Sequence, residues 1–252
     1  MLQAVQRVFA LAALIACTIA APANGAAIQG KKMMLPSTER QVSVVQFKAP
    51  GANPRPSVLL LHGAGGFDRR ITDYNRYASA IANQGMDAYL IYYYSDMDAK
   101  YMSNGVDIFE QRYPAWAKMV GELAEYLEKQ NDSNGKAGLI GFSNGGILAT
   151  GASTLDDKIN AAVIYYGTEP WPLGTPAKRF PPLLILHGDA DQVIPVENGR
   201  QLAALAKKLG APADLIVYPG EMHGFGADFS KKNAQDALDR SIAFLRKQLA
   251  AN

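Results

Sequence analysis

The stretch Ala137-Gly138-Leu139-Ile140-Gly141-Phe142-Ser143-Asn144-Gly145-Gly146 decides the fold. Residues 137–140 form a short apolar run that predicts a buried strand, and residues 145–154 predict a helix. Between them lies Gly-x-Ser-x-Gly, which makes a sharp strand-to-helix turn and thrusts its serine hydroxyl outward. Glycines flank such a turn because it brings main chain close to neighbouring elements, where a β-carbon would clash. The helix that opens there also directs free N–H groups and its positive dipole end at the space beside Ser143.

The same alternation runs outward in both directions. Strands are predicted at residues 42–47, 58–61, 88–93, 161–166, 183–186 and 215–218. Helices are predicted from Asp73, as cap, to about residue 84 with Gly85 as terminator, and at residues 114–129, 196–209 and 234–249. Continuous apolar strands indicate burial on both faces, as in a parallel sheet covered by helices. The expectation is an α/β fold with a mostly parallel, doubly wound sheet flanked by helices. Ligands collect beyond the carboxyl ends of the strands in such sheets, so the segments that follow strands carry the chemistry.

The chain has 252 residues, 48% hydrophobic and 19% charged, which suits one large globular domain. A net charge of +2 without a basic run gives a nucleic-acid partner no electrostatic footprint. Residues 1–26 read as a signal peptide, leaving residues 27–252 as a single domain. Arg7 precedes an apolar stretch at 8–21, and Ala21-Pro22-Ala23 or Asn24-Gly25-Ala26 offers a cleavage site. That stretch is shorter than the ~20 residues a bilayer span needs, so export to the periplasm or medium is expected rather than a stable membrane span. Leu14-Ile15-Ala16-Cys17 also resembles a lipoprotein box, making lipid anchoring through Cys17 the alternative. Cys17 is the chain's only cysteine, so no disulfide is available.

A serine hydroxyl needs a neighbouring base to take its proton. On this kind of elbow the partners follow the serine in the order acid, then histidine. Of the three histidines, His62 precedes Ser143, and His187 sits where the acid is expected. His223, in the late segment Glu221-Met222-His223-Gly224-Phe225, is the candidate base. His62 and His187 are expected to hydrogen-bond their own loops. Asp189 and Asp191, in Leu186-His187-Gly188-Asp189-Ala190-Asp191, both qualify as the acid, and spacing does not separate them. The other aspartate would cap its loop.

Two further donors are needed where negative charge would develop on a carbonyl oxygen. The Asn144 N–H is one, since it follows the serine. The other is expected from His62-Gly63-Ala64-Gly65-Gly66, with Ala64 favoured and Gly65 next. That loop lacks both G-x-G-x-x-G and a following Lys-Ser/Thr, which argues against nucleotide binding. The few histidines and the lone cysteine leave no zinc ligand set, so no metal or other cofactor is expected. Tyr94 and Trp171, on segments that follow strands, are candidates for lining a substrate pocket.

Together, Leu61-His62-Gly63-Ala64-Gly65-Gly66, Gly141-Phe142-Ser143-Asn144-Gly145-Gly146, His187-Gly188-Asp189-Ala190-Asp191-Gln192-Val193-Ile194-Pro195 and Met222-His223-Gly224-Phe225 resemble the dienelactone hydrolase family. The resemblance runs from about residue 42 to 249 and implies the α/β-hydrolase fold. It places the acid on Asp191 and supports His223 as base and Ala64 as oxyanion donor. The family's name-giving enzymes carry a cysteine at the elbow, where this chain has Ser143. The implied activity is a serine hydrolase that cleaves a small or accessible carboxylic ester or lactone through an acyl-enzyme. Two alternatives are a prolyl-oligopeptidase-like peptidase and a non-catalytic binding module that keeps the fold.

Overall fold

The computed structural model describes residues 28–51, 53–155, 157–170 and 176–250. The expected signal segment at 1–26, Cys17 and Trp171 therefore lie outside the described residues. Eight strands form one sheet: β1 (Lys31–Pro36), β2 (Gln41–Phe47), β3 (Arg55–Leu61), β4 (Asp87–Ile91), β5 (Ser133–Phe142), β6 (Ala161–Tyr165), β7 (Leu183–Gly188) and β8 (Ala213–Tyr218). Six helices accompany them: α1 (Ile71–Ala82), α2 (Asp96–Ser103), α3 (Phe109–Glu128), α4 (Asn144–Leu155), α5 (Val196–Lys208) and α6 (Lys232–Leu249). The spatial order is β1-β2-β4-β3-β5-β6-β7-β8. The β1–β2 and β2–β4 pairings are antiparallel, and every pairing from β4 to β8 is parallel.

Every residue of β4, β6 and β7 is buried, which accounts for their unbroken apolar runs. Period-two alternation sorts β3 between the two faces: Leu59 and Leu61 belong to the core that α3, α4 and α5 cover, whereas Val58 and Leu60 belong to the core that α1 and α6 cover. Helices thus cover both faces, as the alternation predicts. Among the described residues no helix is long and apolar enough to cross a membrane. The centre of the sheet is β3, flanked by β4 on one side and β5 on the other. Connections leaving β3 and β5 diverge, and the crevice between them opens at the carboxyl edge.

Several boundaries differ from expectation for local reasons. Strand β1 escapes the sequence because it is an edge strand with only Leu35 buried, so it has no apolar pattern. Asp73 does not cap α1. A 3₁₀ turn at Asp68–Arg70 runs directly into that helix, Arg70 takes the cap position, and Asp73 falls in the first turn. Helix α2 occupies a segment that reads as loop, although Ser95 and Asp98 form a reciprocal capping box that marks its start. Helix α3 begins at Phe109 rather than Pro114, with the Phe109 N–H donating to the Asp107 carboxylate at 2.9 Å. Burial of Phe109 and Tyr113 beside Trp116 offsets the backbone bond that Pro114 removes.

At the opposite, amino edge of the sheet, Arg55 and Asp87 form an ion pair of 3.1 Å with both side chains 6% exposed. Asp87 also accepts the Ala49 N–H at 2.7 Å, and Arg55 donates to the Gly51 carbonyl at 3.1 Å. Without Asp87, Arg55 keeps only the partly exposed Asp132 carboxylate at 3.6 Å, so its buried charge is poorly compensated, a loss of up to about 3–5 kcal/mol. Asp87→Ala is therefore expected to lower the urea-unfolding free energy by that amount. A change under about 1 kcal/mol would show that the pair is dispensable.

Candidate active site

Ser143 sits between β5 and α4 with φ 55°, a left-handed conformation rare for a residue with a β-carbon. Two glycines make the turn possible. A β-carbon on Gly141 would lie 2.1 Å from the Gly145 carbonyl oxygen, and one on Gly145 would lie 2.2 Å from that of Leu61. The elbow is thereby pressed against the end of β3. Its geometry is held by the Ser143 N–H, which donates to the Tyr165 carbonyl of β6 at 3.1 Å, and by the Ile147 N–H, which donates to the Ser143 carbonyl at 2.9 Å.

Asp191 lies in the loop after β7, its side chain fully buried. One carboxylate oxygen accepts the Val193 and Ile194 N–H groups, both at 2.9 Å. The other accepts from His223 Nδ1 at 2.7 Å. A carboxylate only accepts, so the His223 proton belongs on Nδ1 and leaves Nε2 as an acceptor. His223 Nε2 lies 2.8 Å from Ser143 Oγ. The three residues expected to work together are joined in one hydrogen-bonded line at the carboxyl edge of the sheet. The loops carrying them are tied as well: Asp189 N–H donates to the Tyr218 carbonyl and Ala190 N–H to the Glu221 carbonyl.

The remaining polar residues divide cleanly. Asp189 accepts the Gly220 N–H at 2.7 Å and so caps the loop. His187 is fully buried, and its Nε2 lies 2.8 Å from the Ile194 carbonyl and 3.6 Å from the Asp191 carboxylate. It therefore braces the loop of the acid. His62 places Nδ1 2.8 Å from the Gly63 carbonyl. Asn144 opens α4, so its N–H has no intrahelical acceptor. Among the described residues no group of three or more His, Cys, Asp or Glu side chains is arranged to hold a metal ion.

Tyr94 packs its ring against His62, Tyr93 and Trp116. Its buried hydroxyl lies close to the Asn144 side chain without a hydrogen bond of normal geometry. Tyr166 is a site residue that sequence reading assigns merely to the end of a strand. It lies just past β6 with φ 40°, and its ring stands 4.7 Å from that of His223. A bulky residue at positive φ is a strained one, but sign of φ is invisible in an apolar run such as Val163-Ile164-Tyr165-Tyr166.

Residues 42–249 match the Dienelactone hydrolase family. The chain belongs to that family. Its sheet and helices are those of the α/β-hydrolase fold. A Yersinia pestis relative, provisionally named a carboxymethylenebutenolidase, is 26% identical over 208 residues, covering 75% of this chain and 77% of that protein. Another with that provisional name, from Saccharolobus solfataricus, is 31% identical over 128 residues, or 49% of this chain. The match spans about half of that relative's length, 48%. Among solved structures, a thermophilic esterase of Thermogutta terrifontis with propionate bound superposes with a TM-score of 0.66 at 20% identity, covering 88% of this chain and 96% of that one.

Burial lowers the His62 pKa to about 4 and shifts His187 in the same direction. Each imidazole is thus neutral in the folded protein, whereas in the unfolded chain it protonates near pH 6.5. Such groups withdraw stability as pH falls, beginning near 6.5 and, for His62, ending below about 4. Between pH 7 and pH 4 the wild type is expected to lose about 3 kcal/mol more unfolding free energy than His62→Leu. Parallel urea titrations of the two proteins check this, and identical pH slopes would refute it.

Proposed function

We propose that the chain is a serine hydrolase that cleaves carboxylic esters through an acyl-enzyme. The observation that carries this reading is the unbroken line from Asp191 through His223 to Ser143. In the proposed cycle His223 Nε2 takes the Ser143 proton as Oγ attacks the ester carbonyl. The N–H groups of Asn144 and Ala64 stabilise the oxyanion, and Asp191 stabilises the imidazolium. His223 then protonates the departing alkoxide, leaving the acyl group on Ser143. A water molecule, deprotonated by His223, attacks that acyl group, and the proton returns to Ser143 Oγ as the acid leaves.

Serine at the elbow favours ordinary esters over the enol-lactones of the family's cysteine enzymes, and the esterase named above supports the same substrate class. Tyr94 and Trp171 are proposed to line the pocket. The position of Tyr94, just past the carboxyl end of β4 and next to Asn144 of the elbow, supports the first of these assignments. We also propose export, with residues 1–26 as the signal and maturation near residue 27. N-terminal sequencing of the periplasmic protein is expected to find that mature end, and intact precursor confined to the cytoplasm would contradict it.

A fluorophosphonate probe is expected to label wild-type Ser143 stoichiometrically. With p-nitrophenyl acetate, Ser143→Ala is expected to lower kcat by about 10⁵-fold and Asp191→Asn by about 10⁴-fold, with the fold intact. Hydrolysis by Ser143→Ala within tenfold of wild type would sink the assignment. Preferential cleavage of an aminoacyl-Pro-p-nitroanilide would indicate a peptidase instead, and an unlabelled folded protein would indicate a binding module.

A further inference from the structure

His62 lies inside an aromatic cluster beside the elbow. Only 1% of it is exposed, and its ring lies flat on Tyr93, with centroids 4.0 Å apart and planes 13° from parallel. Phe67 and Tyr94 meet it edge-on at 4.8 and 4.7 Å. The backbone of the same residue is also fixed: the Tyr93 hydroxyl donates to the His62 carbonyl at 2.8 Å. Tyr93 is itself anchored, because Arg40 Nη2 donates to the Tyr92 and Tyr93 carbonyls at 3.0 and 2.9 Å.

The consequence falls on the next peptide. A carbonyl can only accept, so the Nδ1 atom 2.8 Å from the Gly63 oxygen carries the proton. The Gly66 N–H donates to the same oxygen at 3.1 Å, closing a turn over residues 63–66. Two donors therefore fix the direction of the Gly63 C=O. In a trans peptide the C=O and the following N–H lie in one plane and point in opposite directions. With the Gly63 oxygen held toward the imidazole, the Ala64 N–H is turned out of the aromatic cluster. It donates to no described residue, and Gly63 lies directly beside the elbow, a β-carbon there falling 3.4 Å from Ser143 Cβ.

We propose that His62 is a positioning residue that orients the Ala64 N–H as the second oxyanion donor, by donating from Nδ1 to the Gly63 carbonyl. This deepens the esterase reading and rests on it. The imidazole never touches substrate. It sets the plane of one peptide, so that the donor stands oriented before the oxyanion forms. Preorganisation of this kind acts on the transition state and leaves ground-state binding nearly unchanged.

Three substitutions separate the donor from the ring. Asparagine places an amide N–H near the former Nδ1, leucine has almost the same shape without a donor, and phenylalanine keeps the stack on Tyr93 without a donor. With p-nitrophenyl acetate, His62→Phe and His62→Leu are expected to lower kcat by about 10- to 100-fold with KM within about threefold, whereas His62→Asn stays within about fivefold of wild type. The Ki of a phenyl trifluoromethyl ketone, whose hemiketal oxyanion mimics the intermediate, is expected to rise in proportion to the loss of kcat/KM. If His62→Phe fails to fold, the Asn–Leu pair decides. Equal kcat values for that pair, or a His62→Phe enzyme within threefold of wild type, overturn the proposal. Hydrolysis that Ser143→Ala abolishes but His62→Leu leaves unchanged would overturn the role of His62 alone. A wild type that neither turns over the ester nor reacts with a fluorophosphonate would overturn the esterase reading and this role with it.

Discussion

Close backbone contact at the turn between β5 and α4 governs the rest of the molecule. Ser143 adopts a left-handed conformation that costs about 1–2 kcal/mol, so surrounding structure must over-determine it. It does so from both sides. The Gly145 main chain lies against the last residues of β3, and the Ser143 N–H is held by the last carbonyl of β6. Parallel register makes this possible, with Leu61 opposite Gly141 and Phe142 opposite Tyr165. A one-residue slip in either pairing would move those carbonyls away and turn every strand residue to the wrong face.

Around that turn, the three histidines occupy two kinds of environment. His223 is partly exposed and bridges a carboxylate to a hydroxyl, the arrangement suited to moving a proton. His62 and His187 are buried and neutral, each tied to a backbone carbonyl in its own loop. One lies in the loop before the candidate oxyanion donor and the other braces the loop of Asp191. Burial serves positioning by removing water as a competing partner, so each N–H has a single acceptor and its loop a single geometry. Tyr166 belongs to the same support. Its strained backbone turns the chain beyond β6 and sets an aromatic ring against His223.

Legibility of these features in the sequence follows burial. Strands β4, β6 and β7, buried throughout, were readable as apolar runs, and α5 and α6 as amphipathic repeats. Edge strand β1 and the short helix α2 bury too little for any pattern to emerge, although the Ser95–Asp98 box was available as a local sign of α2. Asp73 looked like a cap because aspartate favours that position, but a preceding 3₁₀ turn moved the helix start upstream. The start of α3 was masked by Pro114, since proline is common at a first turn. Here the aromatic contacts of Phe109 and Tyr113 carry the helix back past it.

Sequence by itself determined the doubly wound class, the elbow with Ser143, and the chain order that singled out His223, because periodicity and turn chemistry are local properties. It narrowed the acid to two aspartates two residues apart and went no further without the family pattern. Only tertiary structure decided that Asp191 faces His223 while Asp189 caps a turn, that His62 is bound to the peptide before Ala64, and that Tyr166 stands against His223. The physical reason is that these are contacts between strand ends brought side by side by register. Residues 143 and 223 are 80 positions apart in the chain, and no local pattern encodes a 2.8 Å approach across that separation.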